Sequence, residues 1–442
     1  MPFFNIITLG CKVNQYESDA IAQSLQEAGW VSALKGEKTD LFIINTCTVT
    51  QKASMQSRQA VRQAIRHNPK ACIIVTGCYA QVEPDEIKKI KGVHYIIGHT
   101  EKHKIPEIII SRKEKDSLIP ESHPLTIRHD VTHEHKFQQS PVIAAYGNRT
   151  RPVLKIQDGC NNFCTYCIVP YARGRSRSMP LEIVLENISR LSRSGCHEVV
   201  LSGIDLGRYG MDLLPETSLI KLLKCIHETK TIKRVRLSSI EPEEFSDDII
   251  KIAADSDIFC HHFHTPLQSG DDLILKRMHR HYSRSFFKDM VIRIHEMIPD
   301  AAIGVDVLIG FPDETKKAFE NTYSLIKKLP VTYLHVFPFS QRKGTPANNY
   351  PNQIPPDIIK TRCQKMRELG NNKKMEFYKK LIGKNVEILI EGSQSRSTDY
   401  LKGMTSNYVP VFVRGENNLK NCIVQARINK LYGKNAVLGR IL

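Results

Sequence analysis

The chain has 442 residues, enough for two to four domains each with its own core. Its hydrophobic content of 41% is that of a soluble protein, and the longest apolar runs (LFIIN, CIIVTG) are strand-length, far short of a membrane span. Lys and Arg outnumber Asp and Glu by 63 to 46, which favours a polyanionic partner, nucleic acid ahead of a membrane surface.

The N-terminus, MPFFNIITLGC, lacks a basic leader and a small-residue cleavage site and reads as a strand, so a cytoplasmic protein is expected. Residues 1–112 alternate strand and helix. Short β-branched runs at 3–9, 41–45, 71–76 and 93–97 are separated by helical patterns near 16–28, 51–67 and 83–91. Such alternation predicts a doubly wound parallel sheet. Residues 113–150 are polar, rich in His and Lys and weakly periodic, and read as a linker.

From residue 151 to 378 the alternation resumes. Strand centres fall at Leu154, Val199, Val235, Phe259, Val305 and Leu334, with helices near 181–193, 218–228, 246–255, 283–297 and 313–328, then a long helix near 355–382. Six β/α units predict an open (β/α)6 barrel. Over 379–442, NVEILIEG, YVPVFVRG, NCIVQARINKL and AVLGRIL predict a small antiparallel β-barrel. It carries a surplus of six positive charges over residues 380–442 (ten Lys/Arg against four Asp/Glu), as a nucleic-acid grip would.

Twelve cysteines in a chain of this kind argue for metal or cluster chemistry over disulfides. GCNNFCTYC sets Cys160, Cys164 and Cys167 on one short loop after the first barrel strand, where barrel enzymes place their chemistry. Three thiolates suit an iron–sulfur cluster with one open iron, or zinc completed by a distant fourth ligand. Cys11, Cys47 and Cys78 each stand one to three residues past a predicted parallel strand, where the carboxyl ends of a doubly wound sheet line one crevice. They form a second three-cysteine set, or else three small buried residues. Cys72, Cys196, Cys225, Cys260, Cys363 and Cys422 fall inside strand or helix patterns and are assigned to packing.

TLGCKVNQYES, NTCTVT, TGCYAQ, GCNNFCTYCIVPYARGRSRS, SGIDLGRYG, SSIEP, PLQSG, LKRMHRHYS and GVDVLIGFPDET together resemble the methylthiotransferases of the radical S-adenosylmethionine (SAM) superfamily, over nearly the full chain. CKVNQYES is similar to the branch acting on N6-threonylcarbamoyladenosine at position 37 of tRNA. The branches acting on isopentenyladenosine or on a ribosomal-protein aspartate carry other residues there. MTSNYVPVFV resembles a strand of the RNA-binding TRAM domain. Asp313 departs from the family's GFPGET, where Gly is usual.

The resemblance implies exchange of adenine C2–H for C2–SCH3. It requires two [4Fe–4S] clusters on the two cysteine sets, with SAM as both radical source and methyl donor. It places Tyr166 and the backbone of Ile309, Gly310 and Phe311 against the cofactor's adenine, and Gly203, Glu241, Gln268 and Arg280 near its amino-acid and ribose groups. Partners would be the tRNA anticodon stem-loop, an electron donor and a sulfur donor. Arg173, Arg175 and Arg177 follow the cluster loop and would meet RNA phosphates or the cofactor carboxylate. Arg58, Arg62 and Arg66 form a basic stripe on one helix, a solvated face or an RNA contact. A non-catalytic RNA-binding iron–sulfur protein is the competing reading, but it would not need the motifs at 266–270 and 304–315.

Overall fold

A computed structural model describes residues 1–34, 36–113, 118–121, 124–134, 136–138, 149–392 and 399–442. Much of the predicted linker at 113–150 therefore lies outside the described residues. The chain divides into two compact units. The first comprises Met1–Ala145, Gln157–Met179 and Ser340–Asn348, and the second Tyr146–Ile156, Pro180–Phe339 and Asn349–Leu442.

The first unit opens with β1 (Phe3–Thr8), α1 (Lys12–Glu27), β2 (Val31–Ser32), β3 (Leu41–Thr46), α2 (Gln51–His67) and β4 (Cys72–Gly77). Next come α3 (Cys78–Val82), α4 (Pro84–Lys88), β5 (Tyr95–Ile97), α5 (Ile105–Lys113) and β6 (Leu125–Ile127). Its sheet has the order β2-β1-β3-β4-β5-β6, with every pairing parallel. β3 and β4 are buried throughout, and each reads as an unbroken apolar run because both faces are covered. Phe42 and Ile44 join one core with Ala60, Val61 and Ala64 of α2, while Leu41 and Ile43 join the opposite one with Ile21 and Leu25 of α1. α2 starts where the Thr50 side chain accepts the Ala53 N–H, and it ends on Arg66 and His67, which suit the negative helix terminus.

Three features differ from the sequence reading. β6 lies in the segment read as linker and adds a strand beside β5. The helix expected at 83–91 is the shorter α4, and a separate short helix, α3, precedes it, because Pro84 restricts Glu83 to φ −128°, ψ 53° and starts a new helix. α1 begins at Lys12, four residues before the predicted start, so Cys11 becomes its N-cap residue.

The chain then forms β7 (Val153–Lys155) in the second unit and returns to the first with β8 (Gln157–Asp158), α6 (Val169–Arg173) and β9 (Arg177–Ser178). The second unit continues with α7 (Leu181–Arg193), β10 (Glu198–Ser202), α8 (Leu219–Thr229), β11 (Arg234–Leu237), α9 (Asp247–Asp255), β12 (His262–Gln268), α10 (Asp272–Arg277), α11 (Arg284–Met297), β13 (Ala302–Ile309), α12 (Lys316–Lys328), β14 (Tyr333–Pro338) and α13 (Pro356–Lys379). β7, β10 and β11 form one parallel sheet, and β12, β13 and β14 another. Bridges Val235–Phe259 and Ser239–His264 join them into six parallel strands, the expected open barrel. Phe259 makes only that bridge, and the strand placed there begins at His262.

β15 (Asn385–Ile390), β16 (Tyr400–Thr405), β17 (Pro410–Arg414), β18 (Ile423–Tyr432) and β19 (Ala436–Ile441) close into a barrel of order β15-β16-β17-β19-β18. Its core includes Ile388, Ile390, Leu401, Val411, Val413 and Val437. Within this unit Arg236, fully buried, donates to Glu198 on β10 and to the backbone oxygens of Thr405 and Ser406. That arginine clamps the small barrel to the parallel strands.

Candidate iron–sulfur and cofactor sites

Both cysteine sets belong to the first unit. Cys11, Cys47 and Cys78 follow the ends of β1, β3 and β4, which are neighbours in the sheet. Cys11 holds the N-cap position of α1 and Cys78 is the first residue of α3, so both stand where helix N–H groups favour anionic ligands. Gly10 has φ +95°, and a Cβ there would lie 2.8 Å from Cys47 Cβ and 2.9 Å from its Sγ. A glycine is needed for both reasons. Ser57 Oγ donates to the Cys47 carbonyl oxygen at 2.9 Å and fixes that turn from α2.

Burial, then the neighbouring Cys78 and Cys11, pushes the Cys47 thiol up to about 11. Burial likewise raises Cys78, against the pull of Arg173 and Lys102. A bound cationic cluster would reverse this opposition to ionisation at Cys47 and Cys78. Three soft sulfur donors with no fourth protein ligand beside them in sequence fit a multi-iron cluster with an open iron better than a closed single-ion site.

The Cys160–Cys167 loop is held by its own backbone. Cys160 N–H donates to Gly174 O at 3.1 Å, Cys167 N–H to Cys164 O at 2.9 Å, and Ala347 N–H to Thr165 O at 2.8 Å. A Cβ on Gly159 (φ +75°) would sit 1.9 Å from Arg175 O, so only glycine permits this close approach. Phe163 adopts φ +45° and leaves its ring partly exposed against Tyr171. Tyr166 is half-buried on the same loop.

A buried polar network between the two cysteine loops was not legible in the sequence. Arg173 Nη1 lies 2.8 Å from Asp158 Oδ1 and 3.2 Å from Glu17 Oε1, and Nη2 lies 2.5 Å from Asn14 Oδ1. Lys102 Nζ meets Glu17 at 2.6 Å and Asn45 at 3.3 Å. His99 Nε2 is 3.2 Å from Asp158, and burial, then the Arg173 and Lys102 charges, holds it down to about 3 and therefore neutral. Asn14 and Glu17 follow Cys11, Asn45 precedes Cys47, and Asp158 and Arg173 flank the Cys160–Cys167 loop. One guanidinium thus braces both cysteine-bearing segments.

This corrects the expectation for the arginines. Arg173 and Arg177 are buried, and Arg177 donates to the backbone oxygens of Arg173 at 2.9 Å and Arg175 at 3.0 Å, so neither presents a side chain to RNA phosphates. Arg175 is exposed. On α2, Arg62 and Arg66 are exposed, while Arg58 donates to Tyr79 Oη at 2.7 Å. Among the cysteines assigned to packing, Cys196 and Cys422 lie outside helix and strand and are partly exposed.

The remaining residues belong to the second unit. Gly203 follows β10 directly, Gln268 and Ile309 end β12 and β13, and Glu241 precedes a 3-10 turn after β11. Gln268 has φ +59°, and the strand register shifts between Pro266 and Gln268, so a bulge aims this side chain out of the pleat. Arg280 Nη2 lies 2.8 Å from Glu241 Oε2. Nearby Glu244 is pushed up by burial, then by Asp205 and Glu241, against the pull of Arg208 at 3.1 Å. Gly310 (φ +83°) is pressed against Ile359 of α13, where a Cβ would approach 2.4 Å, and Phe311 is fully buried. Asp313 sits at φ +68°, the conformation that glycine would take without strain, with Asn352 Nδ2 donating to its Oδ1 at 2.6 Å.

Comparison with known proteins agrees with this arrangement. The profile described as "Uncharacterized protein family UPF0004" matches residues 4–98, and that of the radical SAM superfamily matches 154–326. The threonylcarbamoyladenosine tRNA methylthiotransferase MtaB of Bacillus subtilis is 38% identical over 96% of this chain and 93% of its own. A tRNA-2-methylthio-N(6)-dimethylallyladenosine synthase of Clostridium botulinum is 34% identical over 91% of this chain and 89% of its own. Among solved structures, the radical SAM methyltransferase TsrM of Kitasatospora setae, with tryptophan and a SAM analogue bound, superposes with a TM-score of 0.57 at 14% identity, covering 79% of this chain and 75% of that one. The chain belongs to the radical SAM tRNA methylthiotransferases.

Proposed function

We propose that the chain exchanges C2–H for C2–SCH3 on N6-threonylcarbamoyladenosine beside the tRNA anticodon, in the cytoplasm. The carrying observation is the pair of three-cysteine sets within one unit, braced by the same Arg173. Cys11, Cys47 and Cys78 would hold one [4Fe–4S] cluster and Cys160, Cys164 and Cys167 the other. With SAM bound, these centres supply the one-electron chemistry and the sulfur that replacing a non-acidic C–H requires and that no general base provides.

The chain's own residues bind and orient. Tyr166 and the backbone of Ile309–Gly310–Phe311 serve the cofactor's adenine. Gly203, Gln268 and the Glu241–Arg280 pair serve its amino-acid and ribose groups. Exposed Arg175 meets RNA phosphate, and the basic β15–β19 barrel acts as a TRAM-like grip on the anticodon stem-loop. The division into 1–112, a connecting segment at 113–150 that lends β6 to the first sheet, 151–378 and 379–442 would assign these tasks in order: sulfur delivery, connection, radical chemistry and RNA binding. An electron donor and a sulfur donor complete the partners.

The test is mass spectrometry of tRNA nucleosides from a host that makes N6-threonylcarbamoyladenosine but not its 2-methylthio form. Expression of the chain should produce 2-methylthio-N6-threonylcarbamoyladenosine. Unchanged nucleosides would refute the proposal, and a 2-methylthio form of isopentenyladenosine alone would move the chain to the other tRNA branch.

A further inference from the structure

Three adjacent parallel strands of the second unit carry a cluster that the proposed reaction does not use. His264 lies on β12, Asp306 on β13 and His335 on β14, and Asp306 and His335 are register partners. His264 Nε2 is 3.0 Å and His335 Nδ1 is 3.2 Å from the same oxygen, Asp306 Oδ1. The three ligand atoms all lie within 4.8 Å of one another, and the two imidazole rings are 5.0 Å apart. His264 Nε2 is buried and, despite its closeness to Asp306, is not in hydrogen-bonding geometry. A buried polar nitrogen left in this way calls for another partner.

Two imidazoles and a carboxylate are the donor types of divalent transition ions. An ion ~2.0–2.2 Å from each donor, at ligand–ion–ligand angles of about 90–105°, sets donors roughly 2.8–3.5 Å apart. The 3.0 Å and 3.2 Å separations fall in that range. His335, with its side chain 52% exposed, opens the cluster to solvent and provides an entry path.

We propose that His264, Asp306 and His335 bind one divalent transition-metal ion of the zinc class through two nitrogens and one oxygen, apart from any cysteine sulfur. The remaining coordination positions take water or an oxygen donor. The ion ties β14, the outer strand of its sheet, to β13 and β12.

The test is equilibrium dialysis of the reconstituted full-length holoenzyme against Zn²⁺, with zinc and iron measured on the same samples. Wild type should retain one more zinc per chain than His335→Ala or His264→Ala, at equal iron. His335→Asp, which keeps a donor, should restore binding with affinity reduced about tenfold or more. Zinc captured by cysteines is common to all the proteins and cancels in the difference. His335 is half-exposed, so its replacement should leave the fold intact, and thermal unfolding checks this. Equal zinc stoichiometry and affinity in wild type and His335→Ala would overturn the proposal and leave the cluster as two imidazoles packed against a carboxylate.

Discussion

Arg173 is the residue whose loss should be felt most in the first unit. Its side chain is 1% exposed and its partners Glu17 and Asp158 are 4% and 5% exposed, so Arg173→Met leaves carboxylates buried without their cation. Removing one partner of a buried pair typically costs about 3–5 kcal/mol. The structure argues for the lower end. Glu17 keeps Lys102 at 2.6 Å, and Asp158 keeps the Gly159 N–H at 2.9 Å and His99 at 3.2 Å. His99 is also freed from the main charge that opposes its protonation and can answer Asp158 in part. A loss of about 3 kcal/mol, at an m-value of ~2 kcal/mol/M, lowers the urea midpoint by roughly 1.5 M.

The assay is built into the chain, whose single tryptophan, Trp30, is 2% exposed in the core of this unit and reports its unfolding. A double-mutant cycle then separates lost attraction from stranded charge. Asp158→Asn should destabilise wild type, but in the Arg173→Met background it should recover about 1–2 kcal/mol, because the orphaned charge is gone. A midpoint shift below about 0.3 M, or an Asp158→Asn penalty of equal size in both backgrounds, would refute the reasoning.

Three further outcomes are expected. Replacing Cys78 or Cys164 by Ala should lower iron after anaerobic reconstitution from about eight to about four per chain, with inorganic sulfide falling in parallel. Asp313→Gly should change stability by less than about 1 kcal/mol, since relief at φ +68° offsets the lost Arg277 and Asn352 contacts, whereas Asp313→Val should cost about 1–3 kcal/mol in thermal unfolding. Glu314 is 1% exposed, and burial, opposed by Arg362 and the Gly310 backbone, pushes it up to about 7. A raised carboxyl favours the folded state fully only below its unfolded value. Stability of the second unit, followed by circular dichroism, should therefore fall by up to about 3 kcal/mol between pH 4.5 and 7, and Glu314→Gln should flatten that slope.

What could be read from the chain alone follows a physical line. Gln51–His67 and Leu181–Arg193 were expected at the observed bounds because their apolar residues recur at helical spacing and their ends carry turn signals. The strand Tyr400–Thr405 was missed because YLKGMT, with Lys402 and Gly403 at its centre, lacks strand alternation. It is held instead by its pairing with β15 and β17. MTSNYVPVFV was read as one strand, yet Tyr408 (φ +65°) turns the chain and stacks on His262 at 4.4 Å.

The deeper miss concerns charge. In a sequence, Glu17, Lys102, Asp158 and Arg173 carry no mark of burial, because a charge reveals its burial only through its partner. Here one partner of Arg173 lies 156 residues away at Glu17. The cysteines were legible because their spacing is local or tied to strand ends. The ionic brace was not, because it exists only after the sheet and the cluster loop have met. The same logic covers His264, Asp306 and His335. They are scattered over three β/α units, with only Asp306 inside a quoted motif, and parallel strand register is what makes them one cluster. Spacing thus announces the ligands of the proposed chemistry, while what positions them is written only in three dimensions.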